Sequence, residues 1–279
     1  MREISCKQIT LKLSEAILRA EYNIDPKLRA LVSEKSKSEK KPLAAKVLSQ
    51  LVQNYDIAHS EQIAICQDTG MCIVFVRFGQ DVHVTGGSFE DAINGAVRDA
   101  YKGLRKSVVY DPLYDRKNTL DNTPAIIHTQ IVPGEKLDFT VVCKGFGSEN
   151  MSRIKMLAPS AGEKGIVDFV TETARLAGAN PCPPIIMGVC IGGDFEQSAL
   201  YAKRMTAMGM DYHPEDERYR ALEETLTNQI NSLSIGPAGF GGETTLLKLN
   251  LCCLPTHIAS LPCAVNVCCH ASRHASFTI

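Results

Sequence analysis

The chain has 279 residues, 44% of them hydrophobic, and its 30 Lys and Arg nearly cancel its 31 Asp and Glu. That is enough apolar sequence to bury a sizeable core, and the even charge balance excludes the strongly basic field of a nucleic-acid or membrane-surface binder. No apolar run reaches the roughly 18 residues that a membrane helix needs. Charged and polar residues interrupt the N-terminal MREISCKQITLKLSEAIL, so no signal peptide is expected and the reading is cytosolic.

Residues 1 to about 60 read as a helical part with a charged break at EKSKSEKKP, because Leu13 and Ile17, then Leu28, Leu31 and Val32, then Val47, Leu48, Leu51 and Val52 recur at three- and four-residue spacings. IAICQD and MCIVFVRF read as strands. Ser88-Phe-Glu-Asp91 has the form of a capping box, with the Asp91 side chain expected to reach back to the Ser88 amide. The helix it opens carries Ala92, Ile93, Ala96, Val97, Ala100 and Tyr101 on one face.

The polar stretch YDPLYDRKNTLDNTP predicts a loop, and AIIHTQIV and KLDFTVVCK predict two strands. In the second of these, Leu137, Phe139, Val141 and Cys143 alternate onto one side. GEKGIVDFVTETARLAGA predicts a helix closed by Gly178, and PPIIMGVCIGG a strand running into a glycine turn. Helices are expected around 194–208 and 214–230, then mostly extended chain from TTLLKLNLCC through AVNVCC. The fold class is mixed α/β: a helical N-terminal part packed on mixed sheets surrounded by helices, in one domain over 1–279.

Eleven cysteines are many for such a chain. In a reducing compartment they are either buried, inert thiols or ligands to a soft metal. No CxxC occurs, so a metal site has to gather cysteines from distant positions. Cys66 in IAICQDTG and Cys190 in IIMGVCIGGD each lie where a strand meets glycines, and Cys269 ends an apolar run. A lone cysteine in such a place is ordinarily structural; three in like settings bring a ligand role level with that. Asp68 beside Cys66 suits a turn cap or an acid–base group. His257 sits between prolines in PTHIASLP, and Lys144-Gly-Phe-Gly147 ends a strand as an anion-binding turn or an ordinary one.

CQDTG, KGFGSEN, GVCIGG, IGPAGFGG, PTHIASLP and VNVCCHASRH occur in this order. Together they resemble the iron–sulfur hydro-lyases, the class I fumarate hydratases and L-tartrate dehydratases, over nearly the whole chain. The match is to the α subunit, or the N-terminal half of single-chain members. The resemblance implies a [4Fe–4S] cluster with one iron not ligated by protein, held by Cys66, Cys190 and Cys269, with Cys269 preferred over Cys268 because it directly precedes His270-Ala-Ser-Arg273-His274. It implies Asp68 and His257 as catalytic groups and Gln67, Arg105 and Gly147 as contacts to a small dicarboxylate. His270, Arg273 and His274 would orient the cluster or the chain, or simply pack. The family pattern KGGG is KGFG here, which bears on the Gly147 amide.

The resemblance further implies a β subunit, in an α2β2 complex, that supplies the remaining base and cationic groups and covers the extended, apolar end ASFTI. Fumarate–malate interconversion is the first reading, with L-tartrate dehydration as its alternative. A zinc-binding structural protein using the C-terminal Cys and His residues is a third, although their spacing is not that of a tetrahedral site. Colour separates the classes: an anaerobically purified cluster protein is brown and a zinc protein colourless.

Overall fold

The computed structural model describes residues 1–279. In chain order the elements are β1 (Arg2–Ser5), α1 (Cys6–Tyr22), α2 (Pro26–Ser38), α3 (Pro42–Glu61), β2 (Met71–Gly79), β3 (Val82–Thr85), α4 (Phe89–Ala100), β4 (Ile126–Val132), β5 (Leu137–Lys144), the single turn α5 (Phe146–Glu149), β6 (Arg153–Leu157), α6 (Gly162–Ala177), β7 (Ile185–Gly193), α7 (Phe195–Met205), α8 (Glu217–Ser232), β8 (Leu246–Thr256), β9 (Leu261–Cys268) and β10 (His274–Thr278). The class is mixed α/β, as the sequence implies. The chain divides into two compact units: Met1–Ile24 with Ile57–Phe146 and Arg273–Ile279, and Asp25–Asp56 with Gly147–Ser272. The N-terminal helical stretch is therefore shared, with α1 in the first unit and α2 in the second.

In the first unit a four-stranded sheet runs β10-β5-β2-β4, and β1 pairs with β3 beside it. β2 is parallel to β4 and antiparallel to β5, which is antiparallel to β10. The alternation read from β5 holds: Leu137, Phe139, Val141 and Cys143 are all buried and join Ile9, Leu13 and Ile17 of α1 and Ile93 and Val97 of α4 in one core. Phe139 stacks on Phe277 of β10 with ring centroids 4.9 Å apart, which docks the C-terminal strand on that core.

Half of the expected capping box forms. The Asp91 amide donates to Ser88 Oγ at 3.3 Å, and the return bond to the Ser88 amide is not made. Ser88→Ala is expected to cost about 1 kcal/mol in chemical denaturation and Ser88→Gly only a few tenths, since glycine tolerates the cap conformation. Equal losses from both would show that the hydroxyl is not the cap.

The second unit holds the sheet β6-β9-β7-β8, with β7 parallel to β8 and antiparallel to β9. The period of two in β7 sorts its side chains. Met187, Val189 and Ile191 enter a core with Ile166, Phe169 and Val170 of α6 and Leu222, Leu226 and Ile230 of α8. Gly188 and Cys190 face the other way, toward α7. A Cβ at Gly188 would stand 2.0 Å from the Ala202 carbonyl oxygen, so only glycine lets α7 lie this close to the strand.

Three readings need correction. IAICQD is not a strand: α3 runs to Glu61, and residues 62–70 are irregular until β2 begins at Met71. Their backbone groups are taken elsewhere, the Ile65 amide by the Glu21 carbonyl and the Gly70 amide by the Asp68 side chain, so no ladder can form. The helix expected from Pro214 starts at Glu217, because Asp216 is its cap and accepts from the Arg218 amide. The short strands β1, β3 and β6 were not read from the sequence.

Candidate active site

In the first unit the Cys66–Gly70 loop is pinned from several sides. The Tyr101 hydroxyl donates to the Thr69 carbonyl at 2.7 Å, and Asn122 Nδ2 donates to the Gly70 carbonyl at 3.1 Å. Burial pushes the Tyr101 phenol well above its usual range, so it stays a donor. Thr69 Oγ1 donates to the Arg105 carbonyl at 2.6 Å, which ties Arg105 to the same loop. Gly70 adopts φ +73° against the Lys144 backbone, where a Cβ would come within 2.6 Å of the carbonyl, so this turn requires glycine.

Cys66, Gln67, Thr69 and Arg105 line one open cleft of about 480 Å³ with Tyr22 and Ile63. Cys66 is half-buried and its Sγ donates weakly to Gln67 Oε1 at 3.6 Å, while Gln67 and Arg105 are exposed. Arg105 is thus brought beside Cys66 and Gln67, a contiguous pair from a different motif.

Asp68 is held at both carboxylate oxygens. Oδ1 accepts from the Gly70 amide at 3.0 Å and Oδ2 from the Phe146 amide at 2.9 Å. The first bond is the turn cap that the sequence suggested, and the second joins the loop to the end of β5. Arg273 Nη1 donates to the Asp68 carbonyl oxygen and to Glu21 Oε2, the latter at 3.1 Å. Burial pushes the Glu21 carboxyl up to about 7, against the opposing pull of Arg273.

In the second unit Cys190 is fully buried beneath α7, packed with Ala202 and Ala264. Hydrogen bonds from Cys252 and Ser198 hold its thiol below the usual range against the upward push of burial. Cys268 ends β9 and is buried, whereas Cys269, one residue beyond, is half-buried. The Tyr55 hydroxyl lies 2.9 Å from His270 Nδ1 and donates to the His270 carbonyl, fixing the chain just after Cys269. Burial, and then the neighbouring Cys269, push the Tyr55 phenol far above its usual range.

His257 is exposed at the β8–β9 turn, where its Nδ1 accepts from the Ala259 amide at 3.2 Å. That bond leaves Nε2 as the protonated, outward nitrogen of the neutral ring. Gly147 is also exposed. A Cβ there would meet only the Asn180 carbonyl oxygen at 3.8 Å, so packing does not demand glycine. At Gly145 a Cβ would meet Asp68 Oδ2 at 3.1 Å and Arg273 Nη2 at 3.2 Å, so the earlier glycine is the more tightly packed of the two.

Residues 10–278 match the family model described as fumarate hydratase (Fumerase). The chain belongs to the fumarate hydratase family, a family of hydro-lyases. It is 31% identical over 281 residues to a protein of Methanocaldococcus jannaschii provisionally named L(+)-tartrate dehydratase subunit alpha, covering 95% of this chain and 96% of that one. It is 25% identical over 287 residues to the L(+)-tartrate dehydratase subunit alpha of Escherichia coli K12, covering 100% of this chain and 94% of the relative.

Within this fumarate hydratase family chain, the pairing register bears on the expected ligands. Ile186 pairs with Cys268 and Cys190 with Ala264, so Cys190 and Cys269 lie toward opposite ends of the β7–β9 ladder. At about 3.3 Å per residue they are separated by roughly 13 Å or more along the sheet. One small cluster does not span that distance, so Cys190 does not pair with Cys269 as expected. Cys182, which the sequence reading passed over, is three residues before β7, at the end of the ladder where Cys269 lies. It is exposed and adopts φ +53°, uncommon for a residue other than glycine. The signal was present in NPCPP, where flanking prolines exclude a ladder position and leave the thiol in a loop.

Proposed function

We propose that this chain is the α subunit of an iron–sulfur hydro-lyase for a small hydroxy-dicarboxylate, with L-tartrate dehydration ahead of fumarate–malate interconversion. The observation that carries the reading is the cleft where Cys66, Gln67 and Arg105 meet; Asp68 follows Gln67 in the chain and does not itself line it. The names of the relatives favour tartrate, reversing the order of the two substrates reached from motifs alone.

The donor set fits a [4Fe–4S] cluster in kind: Cys66 and Cys269 are half-buried and Cys182 is exposed, and none of the three is in a disulfide. Cys182 and Cys269, at the same end of the β7–β9 ladder in the second unit, would supply two of its thiolates, with Cys182 in place of Cys190, which is buried and far along the ladder; Cys66 is carried over from the resemblance as the third. When bound, the cluster supplies a Lewis acid at its unligated iron.

The chain's own residues have separable tasks. Arg105, exposed on the cleft, offers a planar pair of donors to one substrate carboxylate. Gln67 presents its amide beside it. Asp68 takes or returns the proton at the substrate carbon through a lone pair not used by the two main-chain amides. His257, in the second unit, is carried over from the resemblance as the other catalytic group. Loss of water from tartrate takes the proton from one hydroxylated carbon and the hydroxyl from the other and yields an enol; a second proton transfer, onto the carbon that lost the hydroxyl as the enol O–H proton leaves to solvent, gives the 2-oxo acid.

The relatives are named as α subunits, which supports a β-chain partner; that it brings further basic groups, in an α2β2 assembly, is carried over from the resemblance. Anaerobic co-production with that chain, followed by assays on L-tartrate, L-malate and fumarate, tests the reading. A brown complex active on L-tartrate, with the isolated chain inactive, is expected. A colourless complex inactive on all three substrates would reject it, and full turnover by the isolated chain would reject the partner. A zinc protein would be colourless, and no three His, Cys, Asp or Glu side chains are grouped to hold a single metal ion.

A further inference from the structure

Glu21 is out of place by composition. It lies in the last turn of α1 on a face otherwise built from Leu13, Ile17 and Ala20, and it is fully buried. A carboxylate there costs stability unless it is paired, and even a paired buried ion pair commonly stabilises less than apolar residues of the same volume. Stability alone therefore gives a poor reason for the arrangement.

The partner of Glu21 is Arg273, itself 2% exposed and 252 residues away in sequence. Its Nη1 bridges Glu21 Oε2 and the carbonyl oxygen of Asp68. The Arg273 main chain is anchored in turn, because its carbonyl accepts from the Cys143 amide at 3.0 Å on β5. The guanidinium lies against residue 145, where a Cβ would come within 3.2 Å of Arg273 Nη2 and 3.1 Å of Asp68 Oδ2, a tight fit for any side chain. The Glu21 carbonyl accepts from the Ile65 amide at 3.0 Å, so the same residue holds the entrance to the loop through its backbone.

We propose that Glu21 and Arg273 are positioning residues that fix the main chain at Asp68, and through it the direction of the Asp68 carboxylate. The Asp68 residue is then held at three atoms: its carbonyl by Arg273, and its two carboxylate oxygens by the Gly70 and Phe146 amides. Removing the pair frees the first and loosens the other two. The assignment of a catalytic task to Asp68 rests on the proposed function; the mechanical role of the pair does not.

The charged and titratable groups facing Glu21 are Arg273, Asp68, Cys143, Cys72 and Tyr101. Burial pushes the Glu21 carboxyl up to about 7, so a change in the charge beside Arg273 is expected near neutral pH. A glutamine at 21 keeps an oxygen for Arg273 but cannot titrate, which separates geometry from charge.

The test uses the co-produced complex and compares Glu21→Ala, Glu21→Gln and Arg273→Lys by hydrogen exchange and by kinetics. In Glu21→Ala and Arg273→Lys, exchange in the peptide spanning 64–72 is expected to speed up at least about tenfold while the rest of the first unit is unchanged, the signature of local opening. Turnover should fall about 10- to 100-fold with KM nearly unaltered, as a misplaced group does. Glu21→Gln should restore most of the protection and abolish any step near pH 7 in the rate profile that belongs to Glu21. Faster exchange spread evenly over the unit, or an unaltered 64–72 peptide, would overturn the proposal. Should the unmodified complex be inactive on all three substrates, the functional reading fails, and the exchange data by themselves still decide the role of the pair.

Discussion

Cys182→Ala is expected to strip most of the iron from the anaerobically purified complex, whereas Cys190→Ala is expected to retain it. The reasoning is geometric. Cys190 alternates with Val189 and Ile191 along β7, and that alternation fixes it on the α7 side, where it is fully buried against Ala202 and Ala264. It cannot turn outward without shifting the strand by one residue and exposing the whole opposite face of Met187, Val189 and Ile191. Cys182 has no such constraint, as an exposed thiol in a turn ahead of the sheet. Loss of one of three ligands leaves a cluster open to solvent on a second iron, so turnover should fall with iron content. Truncating Cys190 instead removes one buried sulfur and should cost about 1 kcal/mol through a small cavity. Iron and sulfide per chain, read beside the melting temperature, separate the outcomes. Iron lost from Cys190→Ala and kept in Cys182→Ala would restore the assignment made from GVCIGG.

That contrast shows where the sequence was legible. Periodicity located most of the larger elements, because each buries one face and burial imposes a period. Leu137, Phe139, Val141 and Cys143 occupy the core face read for them, and Gly178 closes α6 with φ +55°. Cys66, Gln67 and Asp68 were legible as a unit because they are contiguous. The strand wrongly placed at IAICQD contains β-forming residues, but the Glu21 carbonyl takes its Ile65 amide and the Asp68 side chain holds the Gly70 amide just beyond it, and nothing in a local window shows that. β6 is an edge strand with Arg153 and Lys155 outward, so its pattern is half polar. The ligand error has the same root. A motif marks a neighbourhood of several residues, whereas which cysteine in it faces outward depends on strand register, and register belongs to the pairing of β7 with β9. The bridge from Glu21 through Arg273 to Asp68 crosses most of the chain and has no local signature.

Asp68→Asn is expected to leave cluster content unchanged and to lower turnover by about 10²–10⁴-fold, the usual cost of removing a positioned acid or base. The substitution nearly preserves volume, so its structural penalty can be bounded from the hydrogen bonds. Asp68 accepts one main-chain amide at each oxygen, from Gly70 and from Phe146. An asparagine has a single acceptor oxygen, and whichever way the amide is turned, its NH₂ group faces one of those N–H donors. One amide then loses its partner, at about 1–3 kcal/mol. In a chain of this size that lowers the melting temperature by several degrees without unfolding the protein at assay temperature. A residue that only caps the turn would show that loss of stability together with near-normal rates per cluster. A residue that also moves a proton would show the same loss of stability and a collapse of kcat. Rate is therefore compared with iron content in the same preparation, at a temperature well below the variant's midpoint. Turnover within about threefold of the unsubstituted complex at full cluster occupancy would confine Asp68 to the turn, since proton-transfer catalysis contributes far more than that.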